Sequence, residues 1–365
     1  MKLFFSLLFI GFLSFLSFGQ ELSLVTPLHD SIAETSGLIY LDGKLITHTD
    51  SGGEPILYEI DTISGNVTRA VVIENATNID WEDICYDSTY IYIADFGNNN
   101  GTRTDLKVYR LLISDYLSTT TDTVSVDTIQ FSYLDQTSFS PSTFSTNFDA
   151  EAIISYEDSL YIFTKNWGNR WTNVYALPKL PGTYQIEKID NINVQGLISA
   201  GTYDSETNTI LLSGYTFTTP FIVEISDFNS TDFANGTIDR YQLNTPTGSS
   251  IQIESITSIE ANKYYLSAEK NGSDSPALYK LEKSTLSIDQ IDQYLARIFP
   301  NPTSDFIELR GVDFSIVEIY DALGVLQKTS KNELISISDL SRGTYLLVAK
   351  DVNEKDILTK KIIVQ

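Results

Sequence analysis

The sequence predicts an all-β chain, and three observations carry that prediction. Hydrophobic residues make up 42% and aromatic residues 12%, with 21 Tyr and 19 Phe, a β-rich composition that can build a packed core,. One segment pattern recurs five times between residues 36 and 281,. From residue 298 onward that pattern gives way to short alternating strands such as FIEL, VEIY and YLLV,. The expected architecture is a β-propeller of five or six blades over residues 20–282. A linker with helix-forming character (283–297) and a small immunoglobulin-like β-sandwich (298–365) follow it,. A β-sandwich or two unclosed sheets in place of the ring is the alternative.

Residues 1–19, MKLFFSLLFIGFLSFLSFG, read as a secretory signal peptide. Lys2 gives a positive start, Leu3 to Phe18 is apolar, and Ser17-Phe18-Gly19 offers a cleavage position that leaves Gln20 first,. No later segment approaches the roughly 18 apolar residues of a spanning helix, so no transmembrane segment is expected in the mature chain.

The clearest copy of the repeat is DWEDICYDSTYIYIADFGNNNGTRTDLKVYRL, Asp80 to Leu111. The others span Ser36 to Ile60, Glu151 to Leu177, Gln195 to Ile225 and Glu254 to Leu281. Each holds three strand-like pieces. Tight-turn residues join the first two: Asp42-Gly43, Asp87-Ser88, Glu157-Asp158, Glu206-Thr207-Asn208 and Ala261-Asn262,. A fourth β-rich stretch follows most copies, near Val67, Asp127, Tyr184 and Thr237. Four strands recurring at roughly 45 to 68 residues make a propeller blade. The fifth copy lacks its own fourth strand, and Leu22 to Leu28 is a lone strand able to supply it. Such closure leaves no free sheet edge.

The formal net charge is −24. From Arg297 onward 9 basic residues face 10 acidic ones, so the repeat region carries nearly all of the imbalance. A domain this acidic repels nucleic acid and anionic lipid and suits cations. Cys85, the only cysteine, lies in an apolar strand and reads as core,.

Aligned copies give a column at the start of the first strand: Ser36, Glu82, Glu151, Gln195 and Glu254. A second column follows the second strand: Asp50, Asp95, Lys165, Tyr215 and Glu269. Glu34, Asp80, Asp83 and Asp149 stand nearby. In a ring the first strands line the central channel, so these groups would meet at one mouth. Crowded carboxylates call for a cation, and Ca²⁺, which takes six to eight oxygen ligands, suits them. The candidate ligands are Glu82, Glu151, Glu254, Asp50 and Asp95. The alternative role is hydrogen bonding to backbone amides between blades. Trp167 and Trp171 flank Gly168-Asn169-Arg170, and with Lys165 and Arg170 they form a candidate platform for an extracellular glycan or peptide,.

Other chemistries find no support. His29 precedes the first copy, and His48 has Asp50 and Ser51 beside it on one strand, which is not a triad,. No G-x-S-x-G, H-E-x-x-H, P-loop or paired-cysteine motif occurs, and Asp95 to Gly101 lacks EF-hand spacing,.

The C-terminal segment carries Pro300-Asn301-Pro302-Thr303, then IYDALG ending at Gly324, then DLSRGTYLL with Gly343 inside it, and a basic last strand. It resembles the C-terminal sorting domain of type IX secretion cargo in Bacteroidetes. The resemblance implies engagement by the type IX machinery and a place outside the cell or on the outer-membrane surface of a Gram-negative bacterium. The repeats SGL…DSGG…LYEI, DWEDI…IADFGNN…VYRL and FDAEAI…VYALP resemble secreted bacterial propellers of phytase-like, esterase-like or SdiA-regulated type. That resemblance implies Ca²⁺-ligand roles for Glu82, Asp95 and Glu151. Only Lys165, Arg103 and Arg170 stand near enough to hold phosphates, which speaks against a phytase,. The functional expectation is a ligand-binding propeller, with a calcium-dependent hydrolase of phosphoesters, esters or lactones as the alternative.

Overall fold

A computed structural model describes residues 20–365 except 217–218, 246–250, 271, 273, 284–296, 312–313, 323 and 353–355. The signal segment and the linker's helical character lie outside the described residues. The chain divides into two compact units, one ending at Lys283 and the other starting at Ser284.

The first unit opens with β1 (Gln20–Pro27). Blade one is β2 (Thr35–Leu41), β3 (Lys44–Thr49), β4 (Ile56–Ile60) and β5 (Val67–Ile73). Blade two begins with β6 (Trp81–Tyr86), β7 (Tyr90–Asp95) and β8 (Lys107–Leu112). The helix α1 (Ile113–Ser118) then leads to β9 (Thr123–Val124), which pairs in parallel with the outer edge of β5. β10 (Asp127–Tyr133) completes blade two. Blade three is β11 (Ala150–Tyr156), β12 (Ser159–Thr164), β13 (Thr172–Pro178) and, beyond β14 (Gly182–Ile186), β15 (Lys188–Ile192). The stretch near Tyr184 is therefore two strands: β14 joins the edge of blade two in parallel, and β15 closes blade three. Blade four is β16 (Leu197–Asp204), β17 (Thr209–Thr216), β18 (Thr219–Ser226) and β19 (Thr237–Asn244). Blade five is β20 (Ile253–Glu260), β21 (Lys263–Ala268), β22 (Ala277–Glu282) and β1, antiparallel on β22.

The inner strands β2, β6, β11, β16 and β20 touch in that order, and β20 returns to β2. The ring is closed and has five blades. Five apolar clusters fill the five gaps between successive blades. The run Tyr90-Ile91-Tyr92-Ile93-Ala94 shows how the sequence does this. Successive side chains of a strand point to opposite faces. Ile91 and Ile93 enter the cluster shared with blade one, while Tyr92 and Ala94 enter the one shared with blade three. Both faces are covered, so the strand is apolar throughout instead of half polar. Each fully buried Ile or Leu contributes about 1.5–3 kcal/mol. The inner turns take the left-handed backbone their residues favour: Asp42, Gly43, Glu157, Asn208 and Asn262 all have positive φ,.

The second unit is a two-sheet sandwich. One sheet holds β23 (Arg297–Phe299), β24 (Phe306–Arg310) and β27 (Leu334–Ser336). The other holds β25 (Ile316–Tyr320), β26 (Leu326–Ser330), β28 (Gly343–Lys350) and β29 (Asp356–Val364). Ile307, Leu309, Val317, Ile319, Leu347 and Ile362 lie in its core. The Pro300–Thr303 motif ties the start of the unit to its last strand. The Asn301 side chain accepts from the Ile363 amide at 2.8 Å and donates to the Lys361 carbonyl at 2.9 Å. Gly324 has φ 77° in the turn before β26, a conformation that suits glycine,. Gly343 begins β28 opposite Val364.

Candidate functional site

Every inner strand carries a β-bulge at the same place. The pairing slips by one residue between Ser36 and Leu38, Trp81 and Asp83, Ala150 and Ala152, Ile198 and Ala200, and Ile253 and Ser255. The extra residues are Gly37, Glu82, Glu151, Ser199 and Glu254. A bulge frees one residue from the ladder and re-aims its side chain. Three of the five freed residues are glutamates. The structural column thus has Gly37 in blade one and Ser199 in blade four, where sequence alignment gives Ser36 and Gln195. Ser36 and Ser199 serve as stitches instead, donating to the Glu82 and Ile253 carbonyls of the neighbouring blades, each at 2.6 Å.

Glu82 is the centre of the carboxylate cluster. Asp50, Asp80 and Glu82 each offer an oxygen within 4.8 Å of the other two, and Glu82, Asp149 and Glu151 do the same. Two inner strands, through Glu82 and Glu151, and three loops, through Asp50, Asp80 and Asp149, contribute. Glu82 is 5% exposed, and among the described residues its carboxylate has neither a hydrogen bond nor an ion pair. Gly97 makes room for the cluster: a Cβ there would lie 2.1 Å from Glu82 Oε1 and 2.5 Å from Asp80 Oδ2. Asp149 is anchored from outside the cluster, accepting from the Asn98 amide at 2.6 Å and the Trp167 indole at 2.8 Å.

Two of the expected ligands stand apart. Asp95 pairs with Arg103 at 2.9 Å and Lys107 at 3.5 Å and belongs to neither carboxylate group. The reason is register. Asp95 lies opposite Trp81, just as Thr164 lies opposite Ala150, so it matches Thr164 and not Lys165. A slip of one residue in a strand reverses the face. Glu254 emerges from its bulge on the same mouth but accepts from Gln252 and belongs to neither group. Asp80 and Asp149 are ligand-type residues that the strand columns omit, because both sit in loops before the inner strand. Asp83 plays the other role open to these acids. Its carboxylate accepts from the Ile84, Ile153 and Gly201 amides at 2.9, 2.9 and 3.1 Å, stitching blades two, three and four.

The cluster is short of positive charge. Burial, reinforced by Asp50 and Asp149, lifts the Asp80 carboxyl to about 7. Burial lifts Glu254 to about 7 despite Lys165. Glu82 and Glu151 are driven well above the usual range by burial and then by neighbouring acids, and Asp50 and Asp149 are raised by burial. Lys165 is the counter-ion within the cluster. It meets Glu151 at 3.0 Å and lies over the Trp167 and Tyr215 rings at 5.2 and 5.3 Å. Burial alone would lower its pKa, but Glu151, Glu254 and Asp149 raise it well above ordinary lysine.

The tryptophan platform takes a different form. Trp167 is half-buried, held by Asp149 and packed on Phe144 at 4.8 Å, while Trp171 is 37% exposed. Arg170 adopts a left-handed backbone between them and accepts from the Gly196 amide. Trp167 is thus a wall of the acidic mouth. His48 is fully buried edge-on to Trp81, and burial lowers it to about 4. Cys85 is buried and unpaired.

Residues 297–365 match the family model described as a secretion system C-terminal sorting domain. The chain is type IX secretion cargo. Its place is outside the cell or on the outer-membrane surface, and its sorting domain engages the type IX machinery. No curated protein matches the cargo chain. Several solved structures are similar to it. The PQQ-bound aldose sugar dehydrogenase of Streptomyces coelicolor is 10% identical over 72% of this chain and 97% of its own, with a TM-score of 0.44. CoXyl43, a GH43 β-xylosidase/α-arabinofuranosidase from a compost metagenome, is 14% identical over 73% and 98%, also at 0.44. A quinonprotein alcohol dehydrogenase-like protein of Bacteroides thetaiotaomicron is 11% identical over 91% and 68%, at 0.29. Likeness at this level says nothing of activity. Among the described residues, no helix is long and apolar enough to cross a membrane.

Proposed function

We propose that the cargo is an extracellular propeller that binds Ca²⁺ at its acidic mouth and takes its extracellular ligand there through the cation. One observation carries this reading: Glu82, nearly buried and without a partner, belongs to both carboxylate triads. A buried carboxylate without compensation is costly, and a hard cation with oxygen ligands supplies it. Asp50, Asp80, Glu82, Asp149 and Glu151 are the ligands this reading assigns. Lys165 bounds the site on the Glu151 side. The test is calorimetric titration of Ca²⁺ into chelator-treated mature chain. Binding is expected in the range of extracellular modules, about 10⁻⁴ to 10⁻³ M. Glu82→Gln should weaken it by about tenfold or more, and Asp95→Asn should leave it unchanged. Absence of binding heat to wild type overturns the reading.

A calcium-dependent hydrolase of phosphoesters, esters or lactones is the second reading. It is favoured by Asp80 and Glu254, whose carboxyls at about 7 are suited to acid–base work at neutral pH,. Turnover of chromogenic substrates that requires Ca²⁺ and is lost in Glu82→Gln and Glu151→Gln would establish it.

A further inference from the structure

The acids crowd the starting ends of the inner strands, and the other ends of the same strands open on a separate cavity of about 390 Å³. All five blades line it, from Leu38 and Ile39 in blade one to Thr257 and Ser258 in blade five. The volume lies within the range of small-molecule sites. Asp83, fully buried, stands along β6 between Glu82 at one mouth and Ile84 to Asp87 at the other.

We propose that this second mouth binds the end of a neutral oligosaccharide. Three tyrosines line it: Tyr86, Tyr156 and Tyr203. Tyr156 and Tyr203 meet edge to face at 4.9 Å, and Phe228 braces Tyr156 at 5.6 Å, so these rings are fixed before any ligand arrives. The Tyr86 and Tyr203 hydroxyls are anchored on the Tyr40 carbonyl and Asn208. Rigid aromatic surface with tethered polar ends suits a ligand with an apolar face and a polar edge. Ser155 and Ser205 line the same cavity, and among the described residues their hydroxyls have no partner. They offer donors and acceptors not yet used.

The charges exclude other ligand classes. Among the described residues the one cation lining the cavity, Lys179, is taken: it pairs with Asp87 at 3.1 Å and donates to the Glu157 carbonyl at 2.8 Å. Among the described residues lining the cavity, no free positive group is left for an anion. Asp87 is also saturated, accepting from the Thr89 and Tyr90 amides and the Tyr92 hydroxyl as well as Lys179. Glu157, the other carboxylate of the lining, is exposed at the rim, so among the described residues a ligand cation finds no open carboxylate at depth. What remains is a neutral, hydroxyl-rich molecule whose C–H face stacks on the rings. A second depression of about 510 Å³ shares Asp87, Ser88, Glu157 and Lys179 with the cavity and continues over Leu180, which is 65% exposed. That groove gives a linear chain a path outward, so the site holds a chain end.

The test is saturation-transfer NMR on the full mature chain with cellobiose, maltose, lactose and mannobiose, and with choline and glucose 6-phosphate as charged controls. At least one disaccharide should receive saturation from wild type and equally from Glu82→Gln in chelator, because the acidic mouth is not involved. Ser155→Trp, which fills the cavity, and Ser205→Trp, at its exposed rim, should each weaken binding by about tenfold or more. An unchanged melting temperature in either variant keeps the comparison valid. Silence from all four disaccharides, transfer only to a charged control, binding that survives both tryptophans, or binding lost in Glu82→Gln overturns the proposal.

Discussion

Glu82 is under two opposed demands: the bulge pushes its side chain into the channel mouth, and the mouth is already negative. The resolution is visible in proton affinity. Asp80 and Glu254 are raised from 3.8 and 4.5 to about 7, so between those values the folded chain holds protons that the unfolded chain has lost. Stability then falls as pH rises through that window. The chelator-treated protein should therefore lose about 5 °C or more of melting temperature from pH 5 to pH 8. Saturating Ca²⁺ at pH 8 should restore much of it, and Glu82→Gln should flatten the metal-free slope. Scanning calorimetry checks all three, and a metal-free protein equally stable at both pH values would contradict the electrostatics described above. Part of this site is legible in the sequence. Glu82, Glu151 and Glu254 stand out because each stands at the start of a repeat's first strand. Their convergence needs the bulge, which strand patterning does not mark, and the Asp95 misalignment is a separate one-residue offset along the second strand, enough to reverse a face,. Asp80 and Asp149 escape the columns because loop residues have no period to align.

At the level of elements, β1 does the work of a missing strand. Leu22 is 2% exposed and packs with blades four and five, while Leu24, two residues further along the strand, is 50% exposed. Leu22→Ala should cost roughly 2–5 kcal/mol in denaturant unfolding, whereas Leu24→Ala should stay within about 0.5 kcal/mol. Equal effects would mean that β1 is not seated as described. The need for this strand can be read from the fifth copy, which lacks a fourth segment of its own. The tight turns are equally legible, since Asp42, Gly43, Asn208 and Asn262 are residue types that accept positive φ,. The edge strands β9 and β14 are not. Each is short, and each pairs in parallel with the edge of the preceding blade, a choice made by the partner edge and not by its own composition.

For the whole molecule, the sorting domain lies in the second unit and the carboxylate cluster in the first. A chain ending at Lys283 should keep the melting temperature and Ca²⁺ titration of the intact protein yet remain in the periplasm, as fractionation and surface labelling would report. Surface delivery of that truncated chain would remove the sorting role from residues 297–365. The way the ring is sealed has a further consequence. β1 lies antiparallel on β22 and also touches β19 in parallel, Gln20 opposite Leu243, so blades four and five share one continuous sheet. The earliest segment of the wheel to be synthesised is thus bound between two of the latest. A polypeptide emerging amino end first must keep that segment waiting, unpaired, until Glu282 has come through, and any fusion placed directly on Gln20 would press on the join itself.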